Sequence, residues 1–88
     1  MVTYDLRLTK RALADLKLIQ RSPYKKKVHD LLLLLQENPF ANPPPYEKLI
    51  GDLSGAYSRR ITIQHRLVYA VDEEKKQIRV LRMWTHYE

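Results

Sequence analysis

The sequence predicts an α+β domain in which an N-terminal strand and a two-helix hairpin pack on one face of a twisted antiparallel sheet. Three observations carry that class. Val2 to Leu8 alternates in strand period, and residues 10–37 carry apolar side chains at helical spacing on both sides of a Ser22-Pro23 break. From Ala56 onward, β-branched and aromatic runs alternate with turn sequences, so the order is strand, two helices, then at least three strands.

Each element has a local reason. Thr9 is placed to cap a helix from about Lys10 to Arg21, with Leu13, Leu16 and Ile19 on one face. Ser22 then caps a second helix, and Pro23 occupies its first turn, where a missing N–H costs nothing. That helix should run to about Glu37 and stop at Asn38-Pro39, because a residue before proline avoids the helical region. So short a link makes the pair an αα-hairpin. Val28, Leu31, Leu32 and Leu35 form one buried stripe. Leu33 and Leu34 widen it: either the helix is wedged between the sheet and the first helix, or the surplus leucines dock a partner helix or a second subunit. Phe40 to Ile50, which includes Pro43, Pro44 and Pro45, reads as an extended connector ordered only by docking. Leu53-Ser54-Gly55 reads as a tight turn into a strand from Ala56 to Ile63. Arg66 to Val71, a turn from Asp72 to Lys76, and a strand from Gln77 to about Thr85 complete the chain.

Pattern also suggests a register. Pairing Thr62 with Arg66 sets Ile61 opposite Leu67, Arg60 opposite Val68 and Arg59 opposite Tyr69, and leaves a loop of Ile63, Gln64 and His65. Ile61, Ile63, Leu67, Tyr69 and Val71 then share one face, and Arg60, Thr62 and Arg66 share the other. Antiparallel sheets commonly leave one face wet, and the arginines fall there. Two arginines side by side repel unless an anion sits between them, which points to a phosphate site.

Composition narrows the function. Eighty-eight residues make one small domain, residues 1–88, with no room for a second core. There is no cysteine, which removes disulfides and thiolate chemistry and fits a reducing cytoplasm. No signal region is apparent, and the longest apolar run, Leu31 to Leu35, is far too short to span a bilayer. A formal charge of +6 and a pI near 9.7 favour polyanionic partners, nucleic acid first among them. From Leu53 to Val71 there are three arginines and no acid, and Lys25-Lys26-Lys27 adds a second basic cluster on the second helix.

These residues suit RNA cleavage through the 2′-hydroxyl. That reaction needs a base, cations that stabilise the crowded phosphorane, and an acid for the leaving 5′ oxygen. The three histidines have no zinc-ligand spacing, and no metal is required. Arg66 is the candidate phosphate clamp, since guanidinium offers a rigid fork to two phosphate oxygens. Its bland alternative is an exposed strand arginine paired with a surface acid. Arg60 supports it, while Arg59 points the other way and reads as structural. Glu47, at the end of the connector and outside any regular element, is the candidate base: Tyr46 and Leu49 can anchor its segment, and arginines lie nearby. His86 is the candidate acid, against the plain reading of a solvated tail histidine. Tyr87 could stack on a base or bond a phosphate oxygen, or simply pack. His65 reads as a structural loop residue, His29 as half-exposed, and Trp84 and Tyr57 as core aromatics.

The words Tyr46-Glu47-Lys48-Leu49, Leu53-Ser54-Gly55, Ser58-Arg59-Arg60-Ile61, His65-Arg66-Leu67-Val68-Tyr69 and His86-Tyr87 also resemble a family. In order and spacing they are similar to the YoeB/Txe branch of the RelE-like bacterial toxins. The resemblance implies a RelE-like fold and a type II toxin, a ribosome-dependent endoribonuclease (mRNA interferase) that cuts mRNA in the decoding site and inhibits translation. It implies Glu47 as general base, Arg66 as transition-state arginine, His86 as general acid, Tyr87 as the terminal tyrosine and Arg60 as a phosphate contact, with no cofactor. It further implies a YefM/Axe-type antitoxin as partner, besides the ribosome and mRNA, and permits a homodimer. Some relatives carry lysine where Ile50 stands, so that phosphate contact is either missing here or supplied by Lys48, and Glu88 extends past the His-Tyr end seen in some members. A ParE-like toxin that poisons gyrase and a non-enzymatic RNA-binding module are the alternatives on such a scaffold.

Overall fold

The computed structural model describes residues 3–50 and 55–85. Its elements are β1 (Asp5–Leu8), α1 (Lys10–Ile19), α2 (Lys25–Glu37), β2 (Tyr46–Lys48), β3 (Ala56–Arg60), β4 (Arg66–Asp72) and β5 (Gln77–Thr85). They build an α+β fold with one five-stranded sheet in the order β1-β5-β4-β3-β2. Strands β2 to β5 form an antiparallel meander, whereas β1 pairs parallel with β5, from Asp5 opposite Gln77 to Leu8 opposite Val80. The sheet is therefore mixed rather than wholly antiparallel, and β1 is a sheet edge. The helical hairpin carries the chain away from β1, and the meander returns β5 alongside it in the same direction. No pattern within four residues reveals that direction.

Thr9 caps α1 as expected. Its Oγ1 accepts from the Ala12 N–H at 3.1 Å and donates to the Leu81 carbonyl at 2.8 Å, tying the helix start to β5. The buried face of α1 is Ala12, Ile19 and, in part, Leu16, while Leu13 is 48 % exposed. The stripe is rotated because Asp15 turns toward the sheet and accepts from the Met83 N–H at 3.0 Å. Ser22 does not cap α2. Its Oγ donates to the Ile19 carbonyl at 2.8 Å and accepts from the Tyr24 N–H at 3.1 Å, so it closes α1, and α2 starts after Tyr24 without a side-chain cap. At the far end the helix stops at Glu37, with Asn38 extended before Pro39. Val28, Leu31 and Leu35 are buried and Leu32 packs against them. Leu33 is exposed and Leu34 half-buried, so the surplus leucines are not wedged inside. His29 is exposed.

The core lies between the helices and one sheet face, where Ile61, Leu67, Tyr69, Ile78, Val80 and Met83 meet α1 and α2. A smaller buried cluster of Leu49, Ala56 and Val68, with Leu81 against it, lies on the other face, which neither helix covers. The first hairpin is shifted two residues from the expected register: Arg60 faces Arg66, Arg59 faces Leu67 and Tyr57 faces Tyr69. A two-residue shift keeps every side chain on its face, so the face assignments stand for the residues that remain in the strands. The cause is the turn. Thr62 Oγ1 accepts from the N–H groups of Gln64 and His65, and the His65 carbonyl accepts from Ile61 and Thr62. This ends β3 at Arg60 and leaves Ile63 88 % exposed instead of in the core. Gly55, immediately before β3, has φ +94, a left-handed conformation that glycine tolerates. Leu53 and Ser54, expected to form a tight turn with it, and the Trp84 side chain lie outside the described residues. No helix among those described is long and apolar enough to cross a membrane.

Candidate active site

The connector that carries Glu47 is held by Arg59. This side chain is 1 % exposed and reads as structural in the fold as it did in the sequence. Its guanidinium donates to the carbonyls of Pro44, Pro39 (3.0 Å) and Ala41 (2.8 Å) and to the Tyr69 hydroxyl (3.2 Å), and it lies over the Tyr46 ring at 5.1 Å. Tyr69 in turn donates to Pro39 at 2.8 Å. The fork of donors suits several carbonyls at once. Phe40, Tyr46, Tyr57 and Tyr69 pack ring against ring beside it, with centroids 5.3 to 5.9 Å apart.

So held, residues 46–48 add a strand to the sheet edge, with Glu47 opposite Ser58. Glu47 thus belongs to a regular element, contrary to the expectation that it sits outside one. Strand alternation sends its carboxylate to the uncovered face. There Glu47 Oε1 stands 3.4 Å from Arg66 Nη1, with side chains 65 % and 21 % exposed respectively. Arg60 is the direct cross-strand partner of Arg66 on the same face and is exposed. Like charges directly opposite destabilise a strand pair, and Glu47 is the one carboxylate among the described residues within ion-pair distance of either arginine.

Thr85 pairs with Arg66 across the other side of β4. His86 and Tyr87, the proposed acid and terminal tyrosine, lie outside the described residues, as does Glu88. Lys48 does not join the cluster. It alternates to the opposite face from Glu47 and, with Phe40, Asn42, Tyr46 and Tyr57, lines a cleft of about 530 Å³. Ile50 is exposed. His65 serves the turn through its backbone, as expected.

One arginine escaped the sequence reading. Register shifts on both sides of the Val68 rung create an irregularity in β5, where Val68 pairs with Arg82 and Tyr69 with Val80. Leu81 and Arg82 therefore both lie on the uncovered face, while Met83 is fully buried among the core residues. Strict alternation would have put Arg82 inside with Val80, and no residue in the strand announces the bulge. Ser58 also lacks a signal in the sequence. It is buried beside Glu47, and its Oγ has no hydrogen-bond partner among the described residues. No group of three or more His, Cys, Asp or Glu side chains among the described residues is clustered to hold a metal ion.

Burial pushes the Tyr69 phenol above its ordinary value of 10.0, although the Arg59 charge pulls the other way. The folded state then holds the phenolic proton more tightly than the unfolded chain. Its stabilising contribution is full below pH 10 and is lost as pH rises through the folded value. Denaturant titrations of wild type and Tyr69→Phe should show a stability gap that is constant at neutral pH and narrows above pH 10. A gap independent of pH up to alkaline unfolding would contradict this linkage.

The family model of the YoeB-like toxin of bacterial type II toxin–antitoxin systems matches residues 8–87. The chain belongs to this family. Toxin YoeB of Escherichia coli K12 is 42 % identical over 62 residues, which cover 70 % of this chain and 71 % of that protein. A YoeB/ParE toxin from Agrobacterium tumefaciens matches at a TM-score of 0.85 with 34 % identity, over 94 % of this chain and 99 % of that one. The Staphylococcus aureus YoeB matches at 0.80 in a heterotetrameric YoeB-YefM complex (33 % identity, 96 % and 98 % covered) and at 0.79 as a dimer (32 %, 97 % and 99 %). The YoeB-like fold is the one built here from β1 to β5, with Glu47, Arg60 and Arg66 together on its open face.

Proposed function

We propose that the chain is a toxin that cuts messenger RNA on the ribosome by metal-free acid–base chemistry. The observation that carries this reading is the pairing of Arg60 with Arg66 on an uncovered face, with the Glu47 carboxylate 3.4 Å from Arg66. In this reading a scissile phosphate settles between the two guanidiniums, relieves their repulsion and displaces Glu47 from Arg66. Glu47 then removes the 2′-hydroxyl proton, and the 2′ oxygen attacks phosphorus. Arg66 bonds the equatorial oxygens as negative charge grows, its fork matching two of them. The 5′ oxygen leaves with a proton from His86, which follows the residue paired with Arg66, and Tyr87 holds the nucleotide. The products are a 2′,3′-cyclic phosphate and a free 5′-hydroxyl. Lys48, at the sheet edge but on the other face, contacts a neighbouring phosphate rather than the scissile one.

The family and the surface support a reading of the partners. A YefM-type antitoxin silences the toxin in the cytoplasm, where translated messages are. An apolar groove of about 680 Å³, lined by Tyr24, Leu31, Leu34 and Pro44 and edged by Lys27 and by Lys26, the latter paired with Asp30 at 3.5 Å, suits an acidic amphipathic segment that folds on binding. The exposed Leu33 permits a homodimer. The chemistry is tested by a ribosome-bound message with a single 2′-deoxy nucleotide at the cleavage position. Cutting should stop there and persist at an unmodified control codon. Equal cutting of both would exclude attack by the 2′-hydroxyl.

A further inference from the structure

Arginines continue along the uncovered face well beyond Glu47. Arg82 lies on the Val68 rung, Arg79 on the Ala70 rung, and Arg7 directly opposite Arg79 in β1. Leu6 and Leu8 turn toward the core, so Arg7 points away from it. Arg7, Arg79 and Lys75 line an open groove of about 760 Å³ at the β1–β5–β4 end of the sheet. Ala70 is four residues from Arg66, roughly 13 Å along the strand at about 3.3 Å per residue, which separates this groove from the cleavage cluster.

Charge placement identifies what the groove holds. Arg7 and Arg79 are like charges on one rung, which is unfavourable without an anion. Asp5 bonds Arg7 Nε at 2.8 Å, but Arg79 has no ion-pair or hydrogen-bond partner among the described residues. Asp72 is the other acid and lines the same groove; its Oδ1 accepts from the Lys75 N–H at 3.1 Å. Between Arg66 and Arg79 this face carries Val68, which is buried, then Ala70, Leu81 and Arg82, with no carboxylate among the described residues. Cations at both ends and one in the middle, with no carboxylate between them among the described residues, fit an extended polyanion.

We propose that the Arg7–Arg79–Lys75 groove is a second backbone-phosphate subsite, occupied by the same single RNA strand whose scissile phosphate lies between Arg60 and Arg66. Arg82 holds the strand between them. The proposal rests on the nuclease reading for the identity of the strand, and its test reads binding rather than cleavage.

The test measures anisotropy of labelled, uncleavable 2′-O-methyl RNA, as a dinucleotide and as a decanucleotide, across a salt series. Each phosphate contact on a single strand contributes about 0.7 to the slope of log K against log salt. Arg7→Ala/Arg79→Ala should lower the decanucleotide slope by about 1.4 and leave the dinucleotide slope unchanged. Arg7→Lys/Arg79→Lys should keep the wild-type slope, and Arg79→Gln alone should lose about half as much as the double variant. An unchanged decanucleotide slope, or an equal loss on both lengths, would overturn the subsite. Normal oligonucleotide binding with loss confined to ribosome affinity would also overturn it, assigning the groove to ribosomal RNA. If the wild type binds as described but never cuts a message, the nuclease reading fails while the subsite stands.

Discussion

Arg66→Ala should lower single-turnover cleavage of ribosome-bound mRNA by about a hundredfold or more, the usual cost of removing a donor that acts in the transition state. Arg66 is partly buried at the centre of the uncovered face, between Arg60 on one neighbouring strand and Thr85 on the other. Its ground-state partner is a largely exposed carboxylate, and such a pair adds little to stability. The variant should therefore fold normally, and its defect should appear in rate rather than in ribosome affinity. His86→Ala and Glu47→Gln should behave likewise, the latter because it keeps the shape of the side chain and removes the base. Cells without antitoxin should tolerate all three. Replacing Lys25, Lys26 and Lys27 together should do the opposite, weakening ribosome binding and its salt dependence while single-turnover cleavage persists. If all three site variants cut at the wild-type rate, the catalytic set is misassigned.

The second large effect is on stability. Arg59→Ala would strand the carbonyls of Pro39, Ala41 and Pro44 and remove a bond from Tyr69, all in or near the core. A buried polar group left without a partner costs about 1–3 kcal/mol, and several are left at once. A loss of roughly 3–5 kcal/mol is expected, a large share of the 5–15 kcal/mol typical of a domain. Arg59→Lys should recover only part, since one ammonium cannot span three carbonyls as a planar fork does. Below its unfolding temperature the lysine variant should still lose cleavage, because Glu47 depends on the docked connector. The Leu49 amide, which donates to the Ala56 carbonyl where β2 meets β3, reports on that docking. Its hydrogen exchange should accelerate in Arg59→Lys while core amides such as Val68 remain protected. Stability within 1 kcal/mol of wild type for Arg59→Ala would refute this role.

Local signals were legible where one element carries its own cause. Thr9 as a cap, Asn38-Pro39 as a stop, the bounds of β5 and the division of Arg59 from Arg60 by face all follow from residues close in sequence. Face assignment survived an error in register because side chains repeat every two residues. Other features depend on partners distant in sequence. Tyr46 to Lys48 follows three prolines and becomes a strand only because Arg59 fixes the connector beside β3. The inward turn of Asp15 answers the Met83 N–H at the irregular part of β5, and Leu13 is displaced outward as a result. That same irregularity brings Arg82 to the open face, and parallel pairing of β1 places Arg7 beside Arg79. Glu47 and Arg66 were readable as residue types with suitable chemistry; their 3.4 Å approach needed the edge strand.

The central claim is tested most directly by primer extension on a single message, incubated with the protein either naked or under translation. If the ribosome supplies much of the substrate alignment, the translated message should show strong new 5′ ends inside its reading frame and the naked message weak cutting. Equal cutting of both would make the protein a general ribonuclease. Arrest of growth without any cleavage of the translated message would contradict the account altogether.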